Sequence, residues 1–164
     1  MAKKALAAWV KSKAGAPFVD LGDSKREAFS VSNSISEMRD AHEKAASALN
    51  EAREHLSKGE RGARAAKDKI IEAHQALKNA GEGAVLTRST ASHRLMQLPQ
   101  YGTEHAFTKA RNLAQEHSAL TDKTMAMKSS LTRATTGSHE EVSKAMADFD
   151  ASHPRDEQGR FTSK

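Results

Sequence analysis

Between Ser24 and Leu56, the residues Val31, Ile35, Met38, His42, Ala45, Leu49, Ala52 and Leu56 recur at alternating spacings of four and three. A helix turns once in 3.6 residues, so this spacing lays all eight along one stripe and predicts a single long helix. Ser24 with Glu27 and Ser34 with Glu37 both have the capping-box spacing, in which each side chain satisfies a backbone N–H at the helix start. The helix is therefore expected to begin at one of these serines, and the serine-rich run 30–36 favours the later one. Ala41, Ala46 and Ala48 flank the stripe where a dimeric zipper carries opposed charges. Small flanks let neighbouring helices come close on a wide face, which favours a bundle over a free parallel coiled coil.

The same spacing returns twice. Gly59 and Gly62 mark a turn, after which Ala63, Ala66, Ile70, Ala73, Leu77 and Ala80 form a second stripe, expected to end at Gly81 and Gly83. So short a connection predicts an antiparallel hairpin. Residues 81–102 are less regular; Ser89 or Ser92 is placed to cap a short helix that Pro99 closes. From Thr103 a third long helix is expected, with Ala106, Ala110, Leu113, His117, Leu120, Thr124, Met127 and Leu131 as its stripe and Gly137 as its stop. Ser138 and Glu141 form another capping box, opening a short helix that presents Val142, Ala145, Met146 and Phe149. Before all of these, Leu6, Trp9 and Val10 among Lys3, Lys4, Lys11 and Lys13 give a short amphipathic segment, broken by Gly15 and Pro17. Three parts follow: residues 1–22 as an N-terminal amphipathic segment and linker, 23–150 as the helical bundle, and 151–164 as a flexible polar tail.

Composition changes this picture in one respect. Leu, Ile, Val and Phe together make up roughly 15% of the 164 residues, under the level of about 20% at which a conventional core becomes doubtful. Many of the hydrophobic residues are alanine, and the expected fold class is all-α, an elongated antiparallel helical hairpin or bundle with three long helices, short terminal helices and a disordered C-terminal tail. Leu49, Leu56, Ile70, Leu77, Leu113 and Leu120 are expected to hold it, and self-association is expected because the stripes are long and the large side chains few. With no cysteine, disulfides and thiolate metal sites are excluded. No apolar run approaches the roughly 18 residues that a membrane span needs, and the first residues lack the apolar core of a secretory signal.

The net charge of +5 suits weak attraction to nucleic acid. Its densest candidate surface is Arg61, Arg64, Lys67 and Lys69, diluted by Glu60 and Asp68, with Trp9 and Tyr101 too isolated to make a base-stacking platform. His42 and His117 lie within apolar stripes, and a hairpin centred near Gly59 brings His74 to the level of His42. A bundle metal site needs tighter spacings, such as a glutamate three residues before a histidine on paired helices, and these are missing. Histidines that set helix register are expected instead, and if buried they should loosen the bundle when protonated at mildly acidic pH. Phosphate-binding glycine loops, nucleophile elbows and zinc-protease signatures are also missing. The expectation is a non-enzymatic protein with no cofactor, no bound metal and no small-molecule substrate.

The chain closes on His153, Pro154, Arg155, Asp156, Glu157, Gln158, Gly159, Arg160 and Phe161. This H-P-R-D-E-Q-G-R-F run resembles a short polar segment found in bacteriophage head-morphogenesis and other virion-associated proteins, often at a junction between modules. The resemblance covers about ten residues and implies a context: a phage or prophage protein serving virion structure or assembly, in the virion or the host cytoplasm. Expected partners are further copies of the chain or other virion proteins, met through Trp9, Arg155, Arg160 and Phe161. A small basic helical protein that binds nucleic acid is the alternative.

Overall fold

The computed structural model of the protein describes the backbone of residues 21–92 and 104–162, and the side chains of residues 26–91 and 108–162. Every regular element among them is helical, as the stripes predict. Helix α1 runs Leu21–Leu56, a span of about 54 Å at 1.5 Å per residue. It is under way at Leu21, before either serine proposed as its start. A cap contributes only about 1 kcal/mol. Burying Val31 and Ile35 on the face that carries Ser34 outweighs that, and Ser34 is itself buried within the helix.

A 3-10 turn, Gly59–Gly62, leads into α2, Ala63–Thr87. Gly81 and Gly83, expected to end this helix, lie inside it. One glycine costs a helix only about 1 kcal/mol, and the helix continues past both to bury Ala84. Gly81 also lies against Met125: a Cβ there would be 2.7 Å from its sulfur. Past Thr87 the chain continues as one wide π turn, Arg88–Ser92. The Ser89 and Thr90 hydroxyls both donate to the Leu86 carbonyl, at 2.8 and 3.0 Å, covering an oxygen that the wider turn releases. The expected apolar connector Leu95, Met96 and Leu98 lies outside the described residues, as does the N-terminal segment with Trp9.

Helix α3 is Glu104–Thr132, followed by a 3-10 turn, Arg133–Thr135, and α4 is His139–Ser152. The capping box at the start of α4 forms as expected, with Ser138 and Glu141 satisfying each other's backbone N–H groups. Contacts give the directions. Lys69 pairs with Glu51 at 2.8 Å while Ala91 packs with Val31 and Ile35, so α2 runs back along α1. Ser34 meets His117 and His42 meets Thr124, so α3 runs alongside α1 in the same sense. His139 reaches the Leu56 carbonyl and Arg53 pairs with Asp150, so α4 doubles back along the last turns of α1.

The core has two parts. The larger gathers Ala45, Leu49 and Ala52 of α1, Ala66, Ile70, Ala73 and Leu77 of α2, Met127 and Leu131 of α3, and Val142, Met146 and Phe149 of α4. The smaller holds Val31, Ile35, Ala91 and Ala114, with Leu113 and Leu120 half-buried at its edge. Of the residues expected to hold the bundle, Leu49, Ile70 and Leu77 are fully buried, and Leu56, Leu113 and Leu120 are half-buried.

Two glycines report on this packing in opposite directions. A Cβ at Gly62 would sit 1.8 Å from the His55 carbonyl oxygen, a backbone atom that cannot turn aside, whereas Gly83 has nothing within 4 Å. Gly62→Ala should therefore lower stability by about 2 kcal/mol or more, and Gly83→Ala should raise it by about 0.5–1 kcal/mol. Urea denaturation of the two variants beside the parent protein checks both signs.

Candidate functional site

Where α1 meets α3, several of the buried residues are polar. Ser34, His117, Thr121 and Thr124 are buried and His42 is half-buried. The Thr121 and Thr124 hydroxyls donate back along α3 to the His117 and Leu120 carbonyls, both at 2.7 Å. Since the single Thr124 hydroxyl proton is used in this way, its oxygen accepts from His42, and the 2.8 Å contact assigns the proton of the neutral His42 ring to Nε2. His117 Nε2 and the Ser34 hydroxyl lie 2.9 Å apart, one level along. These two hydrogen bonds tie α1 to α3 at fixed registers, since a slip of either helix by one residue would strand both rings.

Beside this layer lies a feature with no counterpart in the sequence reading. Residues 151–164, expected to be a flexible tail, are helix to Ser152 and then a folded loop to Thr162. Asp156 organises it: one carboxylate oxygen accepts from the Gln158 and Arg160 backbone N–H groups, each at 2.9 Å, and the other accepts from Arg160 Nε at 3.0 Å. Those bonds, the Arg160 backbone N–H foremost, hold the Asp156 carboxyl below its ordinary pKa. Gly159 takes φ of +78°, a left-handed conformation that other residues adopt at a cost. The turn brings Arg155 and Phe161 opposite each other across an antiparallel bridge.

The loop is docked as well as folded. Phe161 packs against the larger core part, edge-on to Phe149 at 5.7 Å and to His42 at 6.3 Å, with the Arg155 guanidinium 4.6 Å above its ring. Arg155 Nη1 donates to Asn50 at 2.8 Å and to the Ala46 carbonyl at 3.3 Å. Lys123 Nζ donates to the Phe161 and Thr162 carbonyls at 3.2 and 2.8 Å. Where the loop meets α1 and α3 it leaves an open cleft of about 580 Å³, lined by Arg39, His42, Glu43, Glu116, Leu120, Lys123, Asp156, Arg160 and Phe161. Its charges largely satisfy each other: Arg39 pairs with Glu116 and Arg160 with Asp156.

Burial dominates the acid–base character of this region. Desolvation, helped by Lys123 and then His153, pushes the His42 pKa down to about 4 from 6.5. His153 is lowered by burial and then by Lys123, His117 by burial and then by Arg88, and Lys123 by burial. All three histidines are held toward their neutral forms.

The residues singled out from the sequence are distributed as follows. Arg155 and Phe161 face this chain's own helices, and Arg160 is exposed beside Asp156. Arg61 and Arg64 are exposed and Lys67 is half-buried near the start of α2, while Lys69 is bound to Glu51 and Glu72. His42, His117 and His74 each take a different hydroxyl partner, respectively Thr124, Ser34 and Thr132, so they do not form one cluster. Among the described residues no three of His, Asp and Glu converge as a metal site requires, and no helix is long and apolar enough to cross a membrane. The folded loop was missed although its sequence carries the turn chemistry, an aspartate three residues before a glycine. No family model, no curated protein and no solved structure matches the chain.

Removing the Ser34 hydroxyl takes a hydrogen bond from a fully buried ring, so Ser34→Ala should cost about 1–3 kcal/mol, read by urea denaturation at neutral pH. The histidine shifts also set a pH dependence. Each of these rings binds a proton more readily in the unfolded chain, so stability is full above about pH 6.5 and should fall steadily as pH drops toward 4. Thermal unfolding followed by circular dichroism across that window checks the direction.

Proposed function

We propose that this chain is a non-enzymatic structural or assembly protein of a bacteriophage or prophage particle, acting in the virion or host cytoplasm through helix packing and self-association. In this reading the elongated bundle of three long helices is the unit that assembles. The observation that carries it is where the large apolar side chains lie. In a chain with so few of them, Phe29 and Leu86 are 68% and 69% exposed, on the outward faces of α1 and α2, while alanine fills much of the interior. Ile71 adds a further exposed apolar group on α2. Large apolar residues held outward while the core is alanine-rich suit contact with another surface. The phage context rests on the resemblance of the C-terminal run, with Trp9 and the exposed Arg160 as further points of contact.

A second reading, binding to nucleic acid, is favoured by one observation. Arg61 and Arg64 are exposed and take part in no ion pair among the described residues, which leaves both free for phosphate contact beside Lys67. Lys69 is less available, being held by Glu51 and Glu72.

Light scattering across a wide concentration range should show oligomers that persist at high salt, and the pair Phe29→Ser with Leu86→Lys should weaken association at least about tenfold with helicity unchanged. A strictly monomeric parent protein at high concentration would overturn the assembly reading. For the second reading, duplex DNA binding should be measurable at low salt and fall steeply with added salt, with the slope reduced by about two in the Arg61→Glu, Arg64→Glu variant. No association with DNA at low salt removes it.

A further inference from the structure

The loop 153–162 has two separate sets of bonds. One set is internal, centred on Asp156 and Gly159. The other, which attaches it to the helices, consists of the Phe161 ring, Arg155 on Asn50 and the Ala46 carbonyl, Lys123 on the Phe161 and Thr162 carbonyls, and His153 against Phe149 and the Ser130 hydroxyl. Breaking the second set leaves the first intact and unseats the half-buried side chains of His153, Arg155 and Phe161, of which only Phe161 packs against the core cluster. The loop can thus leave its seat as a unit while the helices stay packed.

The seat is also crowded with positive charge. Arg155 lies over the Phe161 ring, Lys123 holds the Phe161 and Thr162 carbonyls, and Arg155 Nε and Nη2 are buried with no hydrogen-bond partner. Charged groups reach the region from every neighbouring element: Arg39, Glu43 and Arg53 from α1, Glu116 and Lys123 from α3, Asp150 from α4, and His153, Arg155, Asp156 and Arg160 from the loop. Most of the carboxylates are committed, Glu116 to Arg39, Asp150 to Arg53 and Asp156 to Arg160, while Glu43 is exposed on the cleft rim. Two histidines complete the seat: His42 faces Phe161, and His153 stacks on Phe149 with ring centres 4.7 Å apart.

We propose that the loop His153–Thr162 is an acid-released latch, closed over the seam between α1 and α3 while His42 and His153 are neutral and freed when they take up protons. A proton on either ring adds a cation beside Lys123 and Arg155 in a desolvated seat, and opening returns all four groups to water. His42 is held near 4 when the loop is closed, and a full return to its ordinary 6.5 on opening sets the upper bound, an opening equilibrium raised on the order of 30-fold between pH 7.5 and pH 5.

Hydrogen exchange by mass spectrometry on the full chain tests this, with rates corrected for the intrinsic effect of pH. At pH 7.5 the amides of 153–162 should be protected relative to Phe161→Ala, which supplies the open reference. At pH 5 their protection should fall by about tenfold or more, while residues 66–77 of α2 keep theirs. His42→Gln should flatten the pH response; if that variant loses helicity, His153→Gln carries the same comparison. The proposal is overturned if the loop exchanges at the Phe161→Ala rate already at pH 7.5, or keeps its protection unchanged at pH 5. It is equally overturned if loop and α2 lose protection together, or if the pH response survives in the folded histidine variants.

Discussion

Helices approach closely only where the side chains between them are small, and the rest of this molecule follows from how much of its contact surface is alanine. Ala45, Ala48 and Ala52 of α1 lie in one buried cluster with Ala66 and Ala73 of α2. Each methyl removes little surface from water, so the pair depends on close backbone approach and on the few large residues, Leu49, Ile70 and Leu77, set among the alanines. This pair of helices has one broad face left to cover. α3, α4 and the C-terminal loop all cover parts of it.

α3 covers that face in two different ways. At its C-terminal end Met127 and Leu131 join the larger core, and near its start Ala114 joins the smaller. Between them the α1–α3 seam is built from Ser34, His42, His117, Thr121 and Thr124. Buried polar groups cost desolvation unless each finds a partner, and here the hydroxyl and imidazole groups serve one another across and along the helices. Apolar alanine stripes slide past each other with little penalty, so a layer of directional bonds is what fixes their register.

The C-terminal loop completes the seam at its outer side. Phe161 stands against Phe149 and His42 at the edge of the larger core part, and Arg155 and Lys123 fasten the loop to α1 and α3. The helices are joined mainly by burial, whereas the loop is joined by cations that have given up water. The two attachments therefore respond differently to conditions: the apolar burial between α1 and α2 is indifferent to protons, whereas the histidine layer between α1 and α3 and the seat of the loop are not. In the assembly reading, the loop and the outward apolar residues Phe29 and Leu86 are two separate surfaces, one adjustable and one constant.

Periodicity made the helices legible because burial on one face imposes the same spacing wherever the chain is helical. The stripes of α1 and α2, the α4 face with its Ser138 and Glu141 box, and the alanine flanks could all be read in that way. The boundaries could not, because a capping serine or a helix-ending glycine contributes about 1 kcal/mol in either direction, and tertiary burial overrode Ser34, Gly81 and Gly83. Ser34 reads as a surface residue from its type alone; its partner His117 lies some eighty residues away and is met only once α3 is set on α1. The loop shows the same division. Its turn chemistry is local and was present in Asp156 and Gly159, but a polar run with one aromatic is stable as a folded loop only when that aromatic has somewhere to go. Tertiary packing alone decided that, by placing His42, Phe149 and Lys123 around Phe161.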